Sequence, residues 1–285
     1  MKKLLFSLFI VGLATSKIVA QDDGDKKVKM GIMITPALNW LTPDNDKKMS
    51  KDGMVMKMGI GLAADFRLTD VIWFHTGLEY TGAGGKLKYG SSGNTLDTAG
   101  YYYKDDAILA VSSTDANSAT SQANQDVATG KAKTYQLMTR NYKTGYLHIP
   151  LSFKLKTKEL GGITYFGDIG GDLFIKTSSK GDDHVNYRNP ATGAASQSDI
   201  TNNKLTSEVN LINGSAHVGA GAEYRLSGST AIFGSIQYRH GIMNYTNNGS
   251  DKLLRYTATN GSSPFSQFPN DAKLRQVVLT IGVMF

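Results

Sequence analysis

Five histidines, with carboxylates and hydroxyls scattered around them, are the residues of this 285-residue chain whose types could suggest bond-making chemistry. His75 stands four residues before Glu79, and His148 four before Ser152, with Asp168 further on. A serine activated by a histidine that an acid orients is the hydrolase arrangement. The spacing gives it little support. No nucleophile-elbow motif surrounds Ser152, and no histidine pair at i, i+4 offers a metal site. On a strand, His75 and Glu79 would share a face but stand about 13 Å apart, too far for a direct bond. The glycine-rich stretch Gly82–Gly90 lacks the GK[ST] ending of a phosphate loop, and no helix follows it. There is no cysteine, which excludes disulfides, thiolate zinc sites and a lipid-bearing cysteine. We therefore assign no catalytic, cofactor-binding or metal-ligating residue from the sequence.

The elements that carry these residues are strands. Every even position from Met54 to Leu68 is apolar, which at 40% hydrophobic residues chance gives on the order of once in a thousand. Between them lie Lys57, Gly59, Gly61, Ala63, Asp65 and Arg67, so one face is apolar and the other charged or small. The same period of two recurs over Val28–Trp40, Ile72–Tyr80, Leu147–Leu155, Ile163–Ile175, Val218–Leu226, Ile232–Tyr238 and Val277–Phe285. Eight strands result.

Connections alternate in length. Thr69-Asp70, Thr157–Gly162 and Ser227–Ser229 are tight or short, whereas Leu41–Gly53, Gly82–Asn141, Thr177–Ser207 and Gly241–Ala272 are longer. That alternation predicts an all-β fold: an eight-stranded antiparallel up-and-down transmembrane β-barrel with tight periplasmic turns and long extracellular loops. A soluble barrel would show the same period with its apolar face turned inward. Aromatic residues near predicted strand ends (Trp40, Tyr80, Tyr165, Tyr224, Tyr238) and the loop asymmetry favour a lipid-facing band between aromatic girdles.

The start of the chain reads as a secretory leader over residues 1–20: Lys2 and Lys3, an apolar core from Leu4 to Leu13, and Ile18-Val19-Ala20 before Gln21. Residues 21–285 form the expected barrel domain, located in the cell outer membrane. Losing Lys2, Lys3 and Lys17 lowers the formal charge from +7 to +4, modest for this length and no signature of a nucleic-acid partner. Outer-membrane lipids are the expected surroundings.

The segments MGIMITPALNW, GYLHIPLSFKLK, GAGAEYRL and IQYRHGIMN resemble the PorT-like family of small outer-membrane β-barrels. The resemblance implies an outer-membrane barrel and, through the family's namesake, a link to type IX protein secretion, hence envelope or secretion-complex partners. The final VVLTIGVMF resembles the signal by which the barrel insertion machinery recognises its clients. This chain departs from the family in its long segment after the third strand and in carrying His148 where an acidic residue is expected.

Inward positions hold Lys57, Asp65, Arg67, His75, Glu79, His148, Lys154, Asp168, Asp172, His217, Glu223, Arg225 and Arg239. Eight strands leave an interior just wide enough for side chains, so these groups should pair in a buried network rather than line a pore. A turn at Leu68–Asp70 sets Arg67 opposite Val71, Asp65 opposite Trp73 and Glu79 opposite Gly59, making Lys57–Glu79 and Arg67–Asp65 the candidate ion pairs. Ser112–Thr134, poor in large apolar residues, should build no core. Tyr101–Tyr103 and Tyr135–Tyr142 should extend the third and fourth strands above the bilayer, a projection suited to binding. The expected function is a non-enzymatic barrel that presents extracellular loops or serves an envelope assembly. The alternatives are a small-solute porin and an outer-membrane lipid-modifying enzyme or protease.

Overall fold

The computed structural model describes residues 27–44, 48–90, 97–188, 194–249, 252–257 and 265–285; the leader expected over residues 1–20 lies outside them. In chain order the first strands are β1 (Val28–Ile34), β2 (Ala37–Pro43), β3 (Met49–Lys51), β4 (Val55–Lys57), β5 (Gly59–Arg67), β6 (Ile72–Tyr89), β7 (Asp97–Lys104) and β8 (Ala107–Ile108). Two short helices, α1 (Ser113–Asn117) and α2 (Gln122–Ala128), precede β9 (Lys133–Lys156), β10 (Ile163–Arg188), β11 (Ala195–Lys204) and β12 (Ile212–Ser227). The chain closes with β13 (Thr230–Asn244), β14 (Leu254–Thr257), β15 (Phe265–Gln267) and β16 (Ala272–Met284).

Eight of these strands form a closed antiparallel ring. Hydrogen bonding passes from β1 through β5, β6, β9, β10, β12 and β13 to β16, which pairs back onto β1. Closure satisfies every ladder and leaves no edge, the condition for strands to cross a bilayer. The first predicted strand is interrupted at Thr35-Pro36, where proline supplies no N–H; β1 pairs with β5 below the break, and β2 continues on β16 above it. Two turns need left-handed backbone and carry glycine there: Gly161 and Gly162 between β9 and β10 (φ 60° and 85°), and Gly228 between β12 and β13 (φ 55°).

The outer face below Gly145 is apolar and open to lipid, with Ile60 65% and Ile169 59% exposed. Tyr165 and Tyr224 mark the end near the tight turns; Tyr80 and Tyr238 mark the other, where Trp40 packs on Tyr238 at 6.4 Å. The span between girdles matches the roughly 9–11 residues a tilted strand needs to cross the hydrocarbon.

β6, β9 and β10 run far beyond that length, and this corrects the expected loops. Gly82–Tyr89 continues β6, and Lys133–Asn141 begins β9, so much of the expected loop over residues 82–141 is sheet. Thr177–Ser207 is likewise largely the β10–β11 hairpin. Tyr135–Tyr142 does extend the fourth stave, but Tyr101–Tyr103 lies in β7, a separate strand laid against β9. Ser112–Thr134 is ordered too. Ser112 and Ser121 cap α1 and α2 by accepting from Asp115 N and Asn124 N, and Ala116 packs with Tyr102, Val111 and Leu254. Its small residues form a core because β7 and β14 supply the large ones.

Above the membrane the strands enclose an apolar core in which Leu41, Leu87, Leu137, Tyr142, Tyr146, Leu205 and Tyr245 are buried.

A buried ionic lumen and an extracellular groove

Two places gather polar or aromatic side chains in quantity: the lumen between the girdles and the sheet above it. The lumen is built from inward positions of β5, β6, β9, β10, β12 and β13. Adjacent registers set Asp65, His75, Ser152 and Gly170 in one row across four staves, and Glu79, His148 and Phe174 in another.

The first turn spans two residues more than expected, which keeps every side chain on its face but shifts its partner, so Arg67 faces Trp73, Asp65 faces His75 and Glu79 faces Gly61. The expected pairs change accordingly. Asp65 takes His75 Nδ1 at 2.6 Å, Lys154 Nζ at 3.1 Å and Lys156 Nζ at 3.2 Å. Lys156 also donates to Glu223 at 2.6 Å. Glu79 pairs with His148 Nδ1 at 2.8 Å and with the Thr35 hydroxyl rather than with Lys57. Arg67 turns out to the rim and binds Asp70 at 2.6 Å, and Arg225 pairs with Glu159 there.

The middle of the lumen is a chain of alternating charge. Asp168 meets His217 Nε2 at 3.0 Å, and Asp172 meets His217 Nδ1 at 2.9 Å, His148 Nε2 at 2.8 Å and Ser215 Oγ at 2.6 Å. Each of the two imidazoles therefore bridges two carboxylates. Between two ionised carboxylates, which only accept, a ring donates from both nitrogens and carries a positive charge. Gln237 donates to Asp168 at 2.7 Å, and Arg239 Nε lies 3.7 Å from Asp172. Carboxylates Asp65, Glu79, Asp168, Asp172 and Glu223 are thus matched by Lys154, Lys156, Arg239, His148 and His217. Glu79 and His148 are 0% exposed, and a charge so removed from water is tolerated only when paired.

Packing explains why small residues sit opposite these charges. A Cβ at Gly59 would overlap the Glu79 carboxylate, and one at Gly170 would overlap Ser152. Aromatic faces receive the lysines: Lys154 Nζ lies 5.1 Å from the Phe166 ring and Lys156 Nζ 4.4 Å from Trp73. On the opposite wall Met33, Ala63, Phe233 and Met284 fill the barrel with apolar bulk.

The hydrolase group weighed from spacing does not assemble. His148 binds Glu79 and Asp172, not Ser152, and Asp168 belongs to His217. A different Ser–His–Asp row does form, with Ser152, His75 and Asp65 side by side, yet the buried Ser152 hydroxyl makes no hydrogen bond. A nucleophile without a base to take its proton, 1% exposed inside a filled barrel, has neither activation nor access. Among the described residues no cluster of three or more histidine and carboxylate groups has the geometry to hold a metal ion.

Above the membrane, a second ionic group was missed because Arg140 and Asp183 fall in the expected loops and Glu208 just past one of them. Arg140 binds Asp183 through Nε at 2.6 Å and through a second nitrogen at 2.7 Å, and also pairs with Glu208, all three side chains fully buried. Asp183 also accepts from the Tyr101 hydroxyl at 2.8 Å and from Asn203 Nδ2 at 2.9 Å. Burial first, then the nearby Asp183, holds the Glu208 carboxyl above its ordinary range against the pull of Arg140. The even alternation Tyr142, Thr144, Tyr146 leading into His148 was the sequence signal that the stave continues upward.

On the same sheet lies a groove of about 600 Å³, lined by Tyr135, Tyr187, Tyr256, Phe265, Gln136 and Asn186 among others.

Comparison with known proteins agrees with this architecture. The family described as outer membrane protein beta-barrel domain matches residues 21–247. The chain belongs to that family. It is a barrel of the cell outer membrane, and the ring of eight staves is its membrane-spanning part. Among curated proteins no sequence match is found. Among solved structures the chain is similar to Neisserial surface protein A (12% identity, 90% of this chain and 95% of that one, TM-score 0.35). It is also similar to the attachment invasion locus protein Ail of Yersinia pestis (10%, 91% and 99%, TM-score 0.32) and to OprG of Pseudomonas aeruginosa (11%, 93% and 98%, TM-score 0.33).

Proposed function

We propose that this protein is a non-enzymatic outer-membrane platform: a sealed barrel whose work is done by the folded sheet it holds outside the cell. The observation that carries this reading is the contrast between a lumen closed by matched charges and an external part with its own core. The lumen carboxylates and their partners are nearly inaccessible, which supports a barrel without a continuous water path. Extending β6, β9 and β10 as unbroken strands gives the external sheet a rigid base, because its registers are fixed by the staves below. The resemblance to PorT-like barrels extends the reading to partners in an envelope or secretion assembly.

Planar-bilayer recording on refolded protein tests the sealed lumen. We expect no steady current from the wild type. Ion-selective steps whose selectivity changes in Glu79→Lys would overturn the reading in favour of a small-solute porin.

A further inference from the structure

We infer that the external groove is a binding site for a neutral oligosaccharide, a reading that rests on the platform proposed above and names its ligand class. The groove follows one face of the sheet formed by β10, β9, β7, β14 and β15. Cross-strand registers align Asn186, Gln136, Gly100 and Leu254 in a row, with Thr98, Tyr256 and Phe265 in the next row on that face. Gly100 has no side chain, so the row dips between the amides on one side and Leu254 on the other.

Each wall matches one surface of a sugar ring. Tyr256, 41% exposed, packs edge-on against Phe265 at 5.4 Å. Phe265 is fixed in turn by Asn117, which donates to its carbonyl at 2.9 Å and accepts from its N–H at 3.0 Å. A braced aromatic face with negative charge over its ring attracts the polarised C–H face of a pyranose. Opposite stand Gln136 and Asn186, whose mutual contact is long at 3.4 Å, leaving amide donors and acceptors for ring hydroxyls. The Tyr256 hydroxyl has no hydrogen-bond partner among the described residues. About 600 Å³ falls within the range of small-ligand sites.

Charge narrows the ligand class. Among the described residues the groove's lining includes no Asp, Glu, Lys, Arg or His, although 19% of the chain is charged; one cation, Lys133, stands at its rim with Nζ 5.6 Å from the Tyr187 ring. A uronic acid or sulfate would meet one rim cation, already engaged on the Tyr187 ring, and no bidentate partner, and an apolar peptide would leave the amide wall unpaired.

The test uses the full mature chain in nanodiscs free of lipopolysaccharide, applied to an array of neutral, uronic-acid and sulfated oligosaccharides, with titration of the best binder. Binding should be confined to neutral sugars. Tyr256→Ala should weaken it about tenfold or more, while Tyr256→Phe, which keeps the ring face, should stay within about threefold. Gln136→Ala is a second, independent probe of the amide wall and should also weaken binding. The heat-dependent gel mobility of folded barrels checks each variant. Absence of neutral-sugar binding, preference for sulfated or uronic chains, or affinity unchanged in both Tyr256→Ala and Gln136→Ala would overturn the inference. Conductance is read separately, so a sealed barrel that binds no sugar fails this inference alone, and a conducting one fails the platform reading.

Discussion

The same three strands build two opposite environments. Along β9 the inward positions read Tyr142, Thr144 and Tyr146 above the upper girdle, then His148, Ser152, Lys154 and Lys156 below it. The outward positions change in the reverse sense, from Asn141 and Lys143 to Leu147, Ile149, Leu151, Phe153 and Leu155. Above the membrane the barrel is apolar inside and wet outside, like a soluble protein. Within it, polarity is inverted, because lipid takes the apolar face and the charges must satisfy one another in the middle. The crossover near Gly145 and Tyr146 places the membrane surface within a continuous strand. Burial alone therefore does not say which side chains are apolar; the solvent on the far side decides.

The two halves should fail differently when cut. Asp172 serves His148, His217 and Ser215 at once, so Asp172→Ala should have the largest effect, about 3–5 kcal/mol, by leaving buried imidazolium charge uncompensated. Urea unfolding in micelles should show the whole barrel destabilised. Arg140→Ala removes the equivalent centre of the upper part at comparable cost, and should instead loosen that part first. Limited proteolysis would cut β7 and β11 while the gel mobility of the barrel persists. Simultaneous loss of both halves in Arg140→Ala would show that they are one cooperative unit.

A smaller contrast concerns the outer faces. Ile60→Arg places a cation in the lipid band and should cost roughly 2–4 kcal/mol. Ser50→Arg, on the exposed face of β3 above the girdle, should stay within about 0.5 kcal/mol. Equal stability of the two variants would mean that the membrane boundary lies elsewhere.

The smallest effect is a pH dependence confined to the external helices. Asp126 accepts from Lys104 Nζ at 2.6 Å and from Gln122 Nε2 at 2.7 Å, and these bonds hold its carboxyl below the ordinary range. A carboxylate depressed in the folded state contributes stability above its unfolded pKa of about 3.9, and that contribution disappears as pH falls through the folded value. Hydrogen exchange over Gln122–Ala128 should therefore quicken between pH 6 and pH 3 relative to the staves, and Asp126→Asn should abolish the difference.

Much of this molecule is legible in its sequence. Period two and alternating connection lengths give eight staves, their order and the polarity of each face, because both signals are local: side chains of a strand alternate, and a tight turn joins neighbours. The list of inward groups also holds for Asp65, His75, Glu79, His148, Lys154, Asp168, Asp172, His217, Glu223 and Arg239, all buried. Their partners are another matter. Two extra residues in the turn after Arg67 moved every pairing between β5 and β6, and turn length is set by a few hydrogen bonds around Thr69 rather than by strand pattern.

What the sequence determined by itself, then, was the barrel, its membrane and most of the charges that must be buried; Lys57, Arg67 and Arg225 were expected inside and are not buried, and Lys156 was not expected there and is. Only the tertiary structure decided which charge meets which, since contacts across the lumen join residues as distant in the chain as Asp65 and Lys154 through registers that accumulate around the ring. The tertiary structure also decided that the segment after the third strand is folded. Small polar residues between Ser112 and Thr134 bury nothing large of their own, and they become ordered only because Tyr102, Leu254 and Phe265, brought from elsewhere in the chain, give them a surface to cover.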